Sequence, residues 1–288
     1  MCCSTCPSPG RQVLGSPLES DALVTMPGQF PRSLLRMSWW TTLGGVPAVV
    51  VHPARDADPT DAAAPAPAPA PTLIWMHGRT ANKELDPGRY LRLAREGIAS
   101  VALDLPGHGQ REDLAMQAPE RAMAMIEQMS GEIDGVVAEA REMGIIDMSR
   151  LAVGGMSAGG MAACVRLCSP HPFRCALIEC STGDFASLAG LPIHDAAIAQ
   201  RIDPITHLDG WRDIPIMALH ARHDEWMPHA GIERFVGALR ARSAHPEEVM
   251  IHTYERTGAV AEHIGFGQMS HDAKSRACDF LVRYLRGD

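Results

Sequence analysis

No apolar run in the chain approaches the roughly 18 residues needed to span a bilayer, so a transmembrane protein is not expected. A basic excess is also missing: 34 acidic residues stand against 26 basic ones, giving a net charge of −8. Nucleic acids and anionic membranes are held by positive surfaces that release counterions. Neither is therefore an expected partner. The start, Met1-Cys2-Cys3-Ser4-Thr5-Cys6, lacks both a basic segment and an apolar one, so no secretory signal is read and the cytoplasm is the expected location. Among the central cysteines Cys164, Cys168, Cys175 and Cys180 there is no CxxC pair to mark a zinc site. A disulfide scaffold is not expected in a long chain without a secretion signal, and these thiols read as small buried apolar groups.

What is present is ordinary globular composition, 46% hydrophobic and 21% charged over 288 residues. A large core is possible, and α/β chains of this length are often one domain. Residues 1–37, rich in Pro, Ser and Gly, read as a loose tail, with 38–288 as the folded domain. A hairpin follows, Ser38 to Leu43 and Val46 to His52 about the Gly44-Gly45 turn. Residues 55–71 end in alternating Ala and Pro, which cannot donate a hydrogen-bond ladder, and read as a surface loop.

Beyond it, short apolar runs alternate with helical patterns. Strands are expected over Thr72–Met76, Ile98–Leu103, Leu151–Met156, Cys175–Cys180, Ile214–Leu219 and Glu248–Tyr254. Helices are expected over Arg89–Glu96, Pro119–Met143, Ala158–Cys168 and Ile232–Arg242, and from Ser270, a candidate N-cap, to the end. The alternation predicts an α/β fold with a mainly parallel, doubly wound sheet. Residues 181–213 read as a small cap.

Gly155-Met156-Ser157-Ala158-Gly159 is a G-x-S-x-G at a strand-to-helix junction, the setting of a nucleophile elbow. Small residues there let strand and helix approach, and Ser157 would project at a helix N-terminus. A serine hydroxyl needs a base, and the base a carboxylate. Asp224, in the loop leaving strand Ile214–Leu219, is the expected carboxylate, with Glu225 as its neighbour and Asp203 reading as a surface or turn residue. The expected base is His263, in the loop after the last strand, with His271 on the final helix as the alternative. Backbone N–H groups of Arg79 and Ala158 are the expected oxyanion donors, and the Arg79 side chain could also meet a substrate carboxylate. Trp226, Met227 and Phe266 are candidate pocket residues. His220, His223 and Asp224 also resemble a metal cluster, but no third ligand has convincing spacing, and no metal is expected.

These motifs resemble the α/β-hydrolase superfamily, in its dienelactone hydrolase and prolyl-oligopeptidase-like esterase region. The matching elements are His77-Gly78 after one strand, Asp104-Leu105-Pro106-Gly107-His108-Gly109 after the next, the Ser157 elbow and the Asp224 and His263 loops. Chain order Ser, Asp, His agrees with it. The resemblance runs from about Trp39 onward and implies a serine hydrolase working through an acyl-enzyme. The elbow chemistry is complete without a cofactor, so none is expected, and the short cap suggests an accessible pocket, so small to medium soluble esters are the expected substrates. A peptidase, a thioesterase or acyltransferase, and a non-catalytic hydrolase-fold binding protein are the alternatives. Nothing in the sequence speaks to oligomeric state.

Overall fold

The computed structural model describes residues 30–57, 61 and 63–287. Cys2, Cys3, Cys6 and most of the expected tail lie outside the described residues. Eight strands form one sheet, in the order β1-β2-β4-β3-β5-β6-β7-β8. They are β1 (Ser38–Leu43), β2 (Val46–Val51), β3 (Ala70–Met76), β4 (Ala99–Leu103), β5 (Ile146–Met156), β6 (Cys175–Glu179), β7 (Ile216–Ala221) and β8 (Val249–Tyr254). The hairpin β1–β2 and the pair β2–β4 are antiparallel, and every other neighbour is parallel. Gly44 and Gly45 both have positive φ, 57° and 80°, which a two-residue hairpin turn requires.

The described residues form seven α-helices: α1 (Arg32–Leu35), α2 (Pro87–Arg95), α3 (Ala122–Glu142), α4 (Ala158–Leu167), α5 (Ala196–Ile202), α6 (His229–Arg242) and α7 (Ser270–Leu285). Strand alternation sorts the core into two layers. Ile74, Met76, Val101 and Leu103 pack with α3, α4 and α6, whereas Leu73, Trp75 and Ala102 pack with α1, α2 and α7. The methionines of α3, Met123, Met125 and Met129, are fully buried in the first layer, filling the space under the helix. Among the described residues no helix is long and apolar enough to cross a membrane.

The structure departs from the sequence reading in four places. Residues 30–37 are not loose: Phe30 and Leu34 are buried in the second layer, and Ser38 Oγ donates to the Leu34 carbonyl at 2.6 Å. Composition hid this because two apolar anchors suffice to dock one helical turn. Strand β3 begins at Ala70, inside the expected loop; Pro71 falls where the β3–β5 register shifts, a site where a missing N–H costs no ladder bond. Ser270 is the first helical residue, not the cap; Met269 holds that position without a side-chain bond. The segment 181–213 contains α5, docked on α3 through Arg201 and Glu127 at 2.9 Å, and inserts Phe185 and Leu188 into the first layer.

If residues 30–37 are part of the folded unit, Leu34→Ala lowers unfolding free energy by about 2–5 kcal/mol, the usual cost of truncating a buried leucine. Urea titration measures it; a loss within about 0.5 kcal/mol, as at a surface position, would place the segment outside the cooperative fold.

Candidate active site

Ser157 joins β5 to α4 with φ 52° and ψ −119°, a conformation that L-residues avoid. It is held from both sides: its N–H donates to the Glu179 carbonyl at 2.8 Å, and its carbonyl accepts from Ser181 Oγ at 2.9 Å. The flanking glycines are required by contact. A Cβ on Gly155 would stand 2.4 Å from the Gly159 carbonyl carbon, and one on Gly159 would stand 2.4 Å from the Met76 oxygen.

From this turn a chain of hydrogen bonds runs back through two loops. His263 Nε2 lies 2.9 Å from Ser157 Oγ, and His263 Nδ1 lies 2.7 Å from Asp224 Oδ2. An ionised aspartate only accepts, so Nδ1 carries the proton and Nε2 is free to accept the serine proton. All three residues are buried. Asp224 Oδ1 accepts from the Trp226 and Met227 N–H groups at 2.9 and 2.8 Å, which orients the carboxylate. The two loops are joined where Glu225 N–H donates to the Ala261 carbonyl at 3.0 Å. Within the His263 loop, the Glu262 carboxylate accepts from Thr257 N–H and Oγ1 at 2.6 and 2.7 Å. His271 is exposed on the first turn of α7 and its ring reaches neither Ser157 nor Asp224.

The third loop, after β3, runs beside the serine: a Cβ on Gly78 would be 3.3 Å from Ser157 Cβ. Neither Arg79 N–H nor Ala158 N–H has an acceptor among the described residues, which leaves both donors available to a substrate oxygen. The loop is pinned by histidines. His77 Nε2 accepts from Leu105 N–H at 3.1 Å, and His108 Nε2 accepts from Thr80 N–H at 2.9 Å. Asp104 is fully buried against Lys83 Nζ at 2.7 Å and accepts from Gln110 N–H at 2.9 Å. The Arg79 side chain, a candidate for a substrate carboxylate, instead donates to the Gln117 carbonyl at 2.9 Å.

The candidate pocket residues separate. Phe266 is buried and lines a cavity beside the elbow; Trp226, 43% exposed, has its ring 4.9 Å from that of His263. Met227 is packed in the core, so it positions Asp224 rather than lining the pocket. Asp203, read as a surface or turn residue, is buried and accepts from Phe185 N–H at 2.9 Å. His223 pairs with Glu255 at 3.1 Å on the surface, away from His220.

Sequence reasoning missed Cys180, which lies next to the site: its sulfur, an Asp224 oxygen and a His263 nitrogen lie within 4.8 Å of one another. Burial and the neighbouring Asp224 push its thiol well above the usual range, so it stays protonated and is not a competing nucleophile. No local signal marks it, because its place depends on where β6 ends.

A strand-turn-helix serine with a loop-borne histidine and aspartate beside it is an arrangement in which a hydroxyl can be activated for attack on a carbonyl. The chain belongs to the prolyl oligopeptidase family, whose sequence pattern matches residues 89–288, and it is a serine hydrolase. Esterase YjfP of Escherichia coli (strain K12) is 28% identical over 174 residues, covering 54% of this chain and 69% of its own. In fold, the chain is similar to TT1662 from Thermus thermophilus, with TM-score 0.65, 21% identity, and coverage of 86% of this chain and 97% of that one. A puromycin-hydrolyzing peptidase of Mycobacterium tuberculosis gives TM-score 0.67 at 19% identity, over 88% of this chain and 40% of the peptidase. The Pyrococcus furiosus esterase Pf2001 gives 0.61 at 15%, over 88% and 92%.

Burial lowers His77 and His220, both beside the site, from 6.5 to about 4. They stay neutral in the native state while the unfolded chain binds protons from about pH 6.5 downward, so their contribution is whole above that pH and is lost as pH falls toward 4. Unfolding free energy should therefore decline between about pH 7 and 4.5, less steeply in His220→Gln than in the parent. Parallel slopes in the two proteins would show that His220 carries none of this dependence.

Proposed function

We propose that the protein hydrolyses small to medium soluble carboxylic esters through Ser157, His263 and Asp224. The observation that carries this reading is the continuous pair of contacts at 2.9 and 2.7 Å linking hydroxyl, imidazole and carboxylate. As Ser157 Oγ attacks the ester carbonyl carbon, its proton passes to His263 Nε2, and Asp224 stabilises the imidazolium. The carbonyl oxygen takes negative charge and is met by the N–H groups of Arg79 and Ala158. Collapse of the adduct breaks the bond to the alcohol oxygen, which leaves with the proton from Nε2. A water then gives a proton to the same nitrogen and attacks the acyl carbon; the acyl–Oγ bond breaks as Nε2 returns that proton to Oγ, releasing the acid and restoring Ser157.

Likeness to an esterase supports an ester over an amide or thioester. Trp226, whose ring lies 4.9 Å from that of His263, is exposed, as are Val260 and Ile264 in the His263 loop, and an alcohol would depart past Trp226. Five free thiols among the described residues suit a reducing compartment, the cytoplasm. The chemistry proposed is complete with side chains and backbone alone.

Hydrolysis of p-nitrophenyl butyrate by matched variants tests this. Ser157→Ala and His263→Ala are each expected to lower kcat by about a thousandfold or more, with His271→Ala within about twofold of the parent. Loss on His271→Ala with retention in His263→Ala would move the base to α7.

A further inference from the structure

Beside the elbow lies a cavity of about 120 Å³, bounded by Gly78 and Met156 next to Ser157 and by Phe266 near His263. It is somewhat smaller than the roughly 150 Å³ of a cavity that admits benzene, room for about four to six heavy atoms. Trp75, Met156, Phe266 and Ala273 make most of it apolar. Its polar wall, which also holds Asn82 and Ser270, includes an ionic cluster: Arg89 Nη2 donates to both Glu179 oxygens at 2.9 and 2.8 Å, Arg89 Nε to Asp86 at 2.8 Å, and Lys274 pairs with Asp86 at 2.9 Å. Two acids and two cations cancel.

One donor in this cluster is left over. Arg89 is 4% exposed, and its Nη1 has no acceptor among the described residues. The Trp75 ring, 4.1 Å from the guanidinium carbon, supplies cation–π attraction but no lone pair. A buried charged N–H without an acceptor is costly, and an oxygen that reached it would recover that cost. A carboxylate would upset the balance of charge and bring its own desolvation penalty. A carbonyl or hydroxyl oxygen brings neither.

We propose that this cavity receives the acyl group of the substrate, and that Arg89 Nη1 donates to a neutral oxygen near the far end of a short acyl chain. Oxo- and hydroxyacyl esters are then the preferred substrates. The acyl group, not the alcohol, belongs here because it stays bound to Ser157 while the alcohol must leave, and Trp226, whose ring lies 4.9 Å from that of His263, is exposed. This role presupposes the Ser157 nucleophile proposed above.

Ethyl 4-oxopentanoate and ethyl 4-methylpentanoate have the same number of heavy atoms and differ at C4, where a ketone oxygen replaces a methyl and a hydrogen; acid release measures both. The oxo ester is expected to show kcat/KM about tenfold or more above the methyl ester. A ratio of one or less overturns the proposal, as does monoethyl succinate outrunning the oxo ester. Arg89→Lys keeps a charge beside Glu179 but has no Nη1, and should bring the ratio to within about twofold of one; an unchanged ratio in the folded variant overturns the role of Arg89. Should that variant not fold, Ala273→Leu fills the cavity. It is expected to lower kcat/KM for the oxo ester about tenfold more than for ethyl acetate, and equal effects place the acyl group elsewhere. If p-nitrophenyl butyrate is not turned over either, it is the ester-hydrolase reading that fails, and this one with it.

Discussion

The close approach of β5 and α4 is the constraint on which the site depends. Only with Gly155 and Gly159 in contact can the chain reverse within one residue, and that residue, Ser157, takes φ 52° as a consequence. A strained serine costs of order 1–3 kcal/mol and persists where its surroundings over-determine it. Here the backbone bonds to Glu179 and Ser181 do so. The reward is geometric: Oγ lies 2.9 Å from His263 Nε2, while the Ala158 N–H at the start of α4 has no acceptor among the described residues.

The other parts of the site are irregular loops, and each is fixed by a polar side chain, buried at Asp104 and Asp224 and partly exposed at Glu262. Asp104 with Lys83 holds the loop of Arg79, Asp224 is oriented by two amides, and Glu262 gathers the start of the His263 loop. Buried charges of this kind contribute little net stability against an apolar replacement, yet breaking one partner is costly. Their contribution here is placement. The Arg89–Glu179 pair extends the same logic: it ties α2 to β6 at the residue whose carbonyl receives the Ser157 N–H.

Much of this was legible in the sequence, for physical reasons. Parallel strands buried on both faces read as apolar runs, so the strands from β3 to β8 could be located, and the glycine spacing at the elbow marked the β5–α4 turn. Asp224 and His263 stand in loops at the C-terminal ends of strands, where the topology brings them together. What escaped was long-range or locally weak. Arg89 meets Glu179, and Asp86 meets Lys274, only because α2, β6 and α7 meet, and no spacing in the chain announces those pairs. Leu34 docks α1 on two side chains within a segment of tail-like composition, and Met227 follows Trp226 yet faces inward, a difference of direction that adjacency does not encode.

Every role proposed for the site requires that Ser157 be the nucleophile and His263 its base. Intact-mass and peptide mass spectrometry after treatment with a fluorophosphonate tests it directly, because the reagent phosphonylates an activated serine with loss of fluoride. A single adduct on the peptide bearing Ser157, absent from Ser157→Ala and strongly slowed in His263→Ala, is the predicted result. An adduct on another residue, or labelling of Ser157 that proceeds undiminished without His263, would contradict the account.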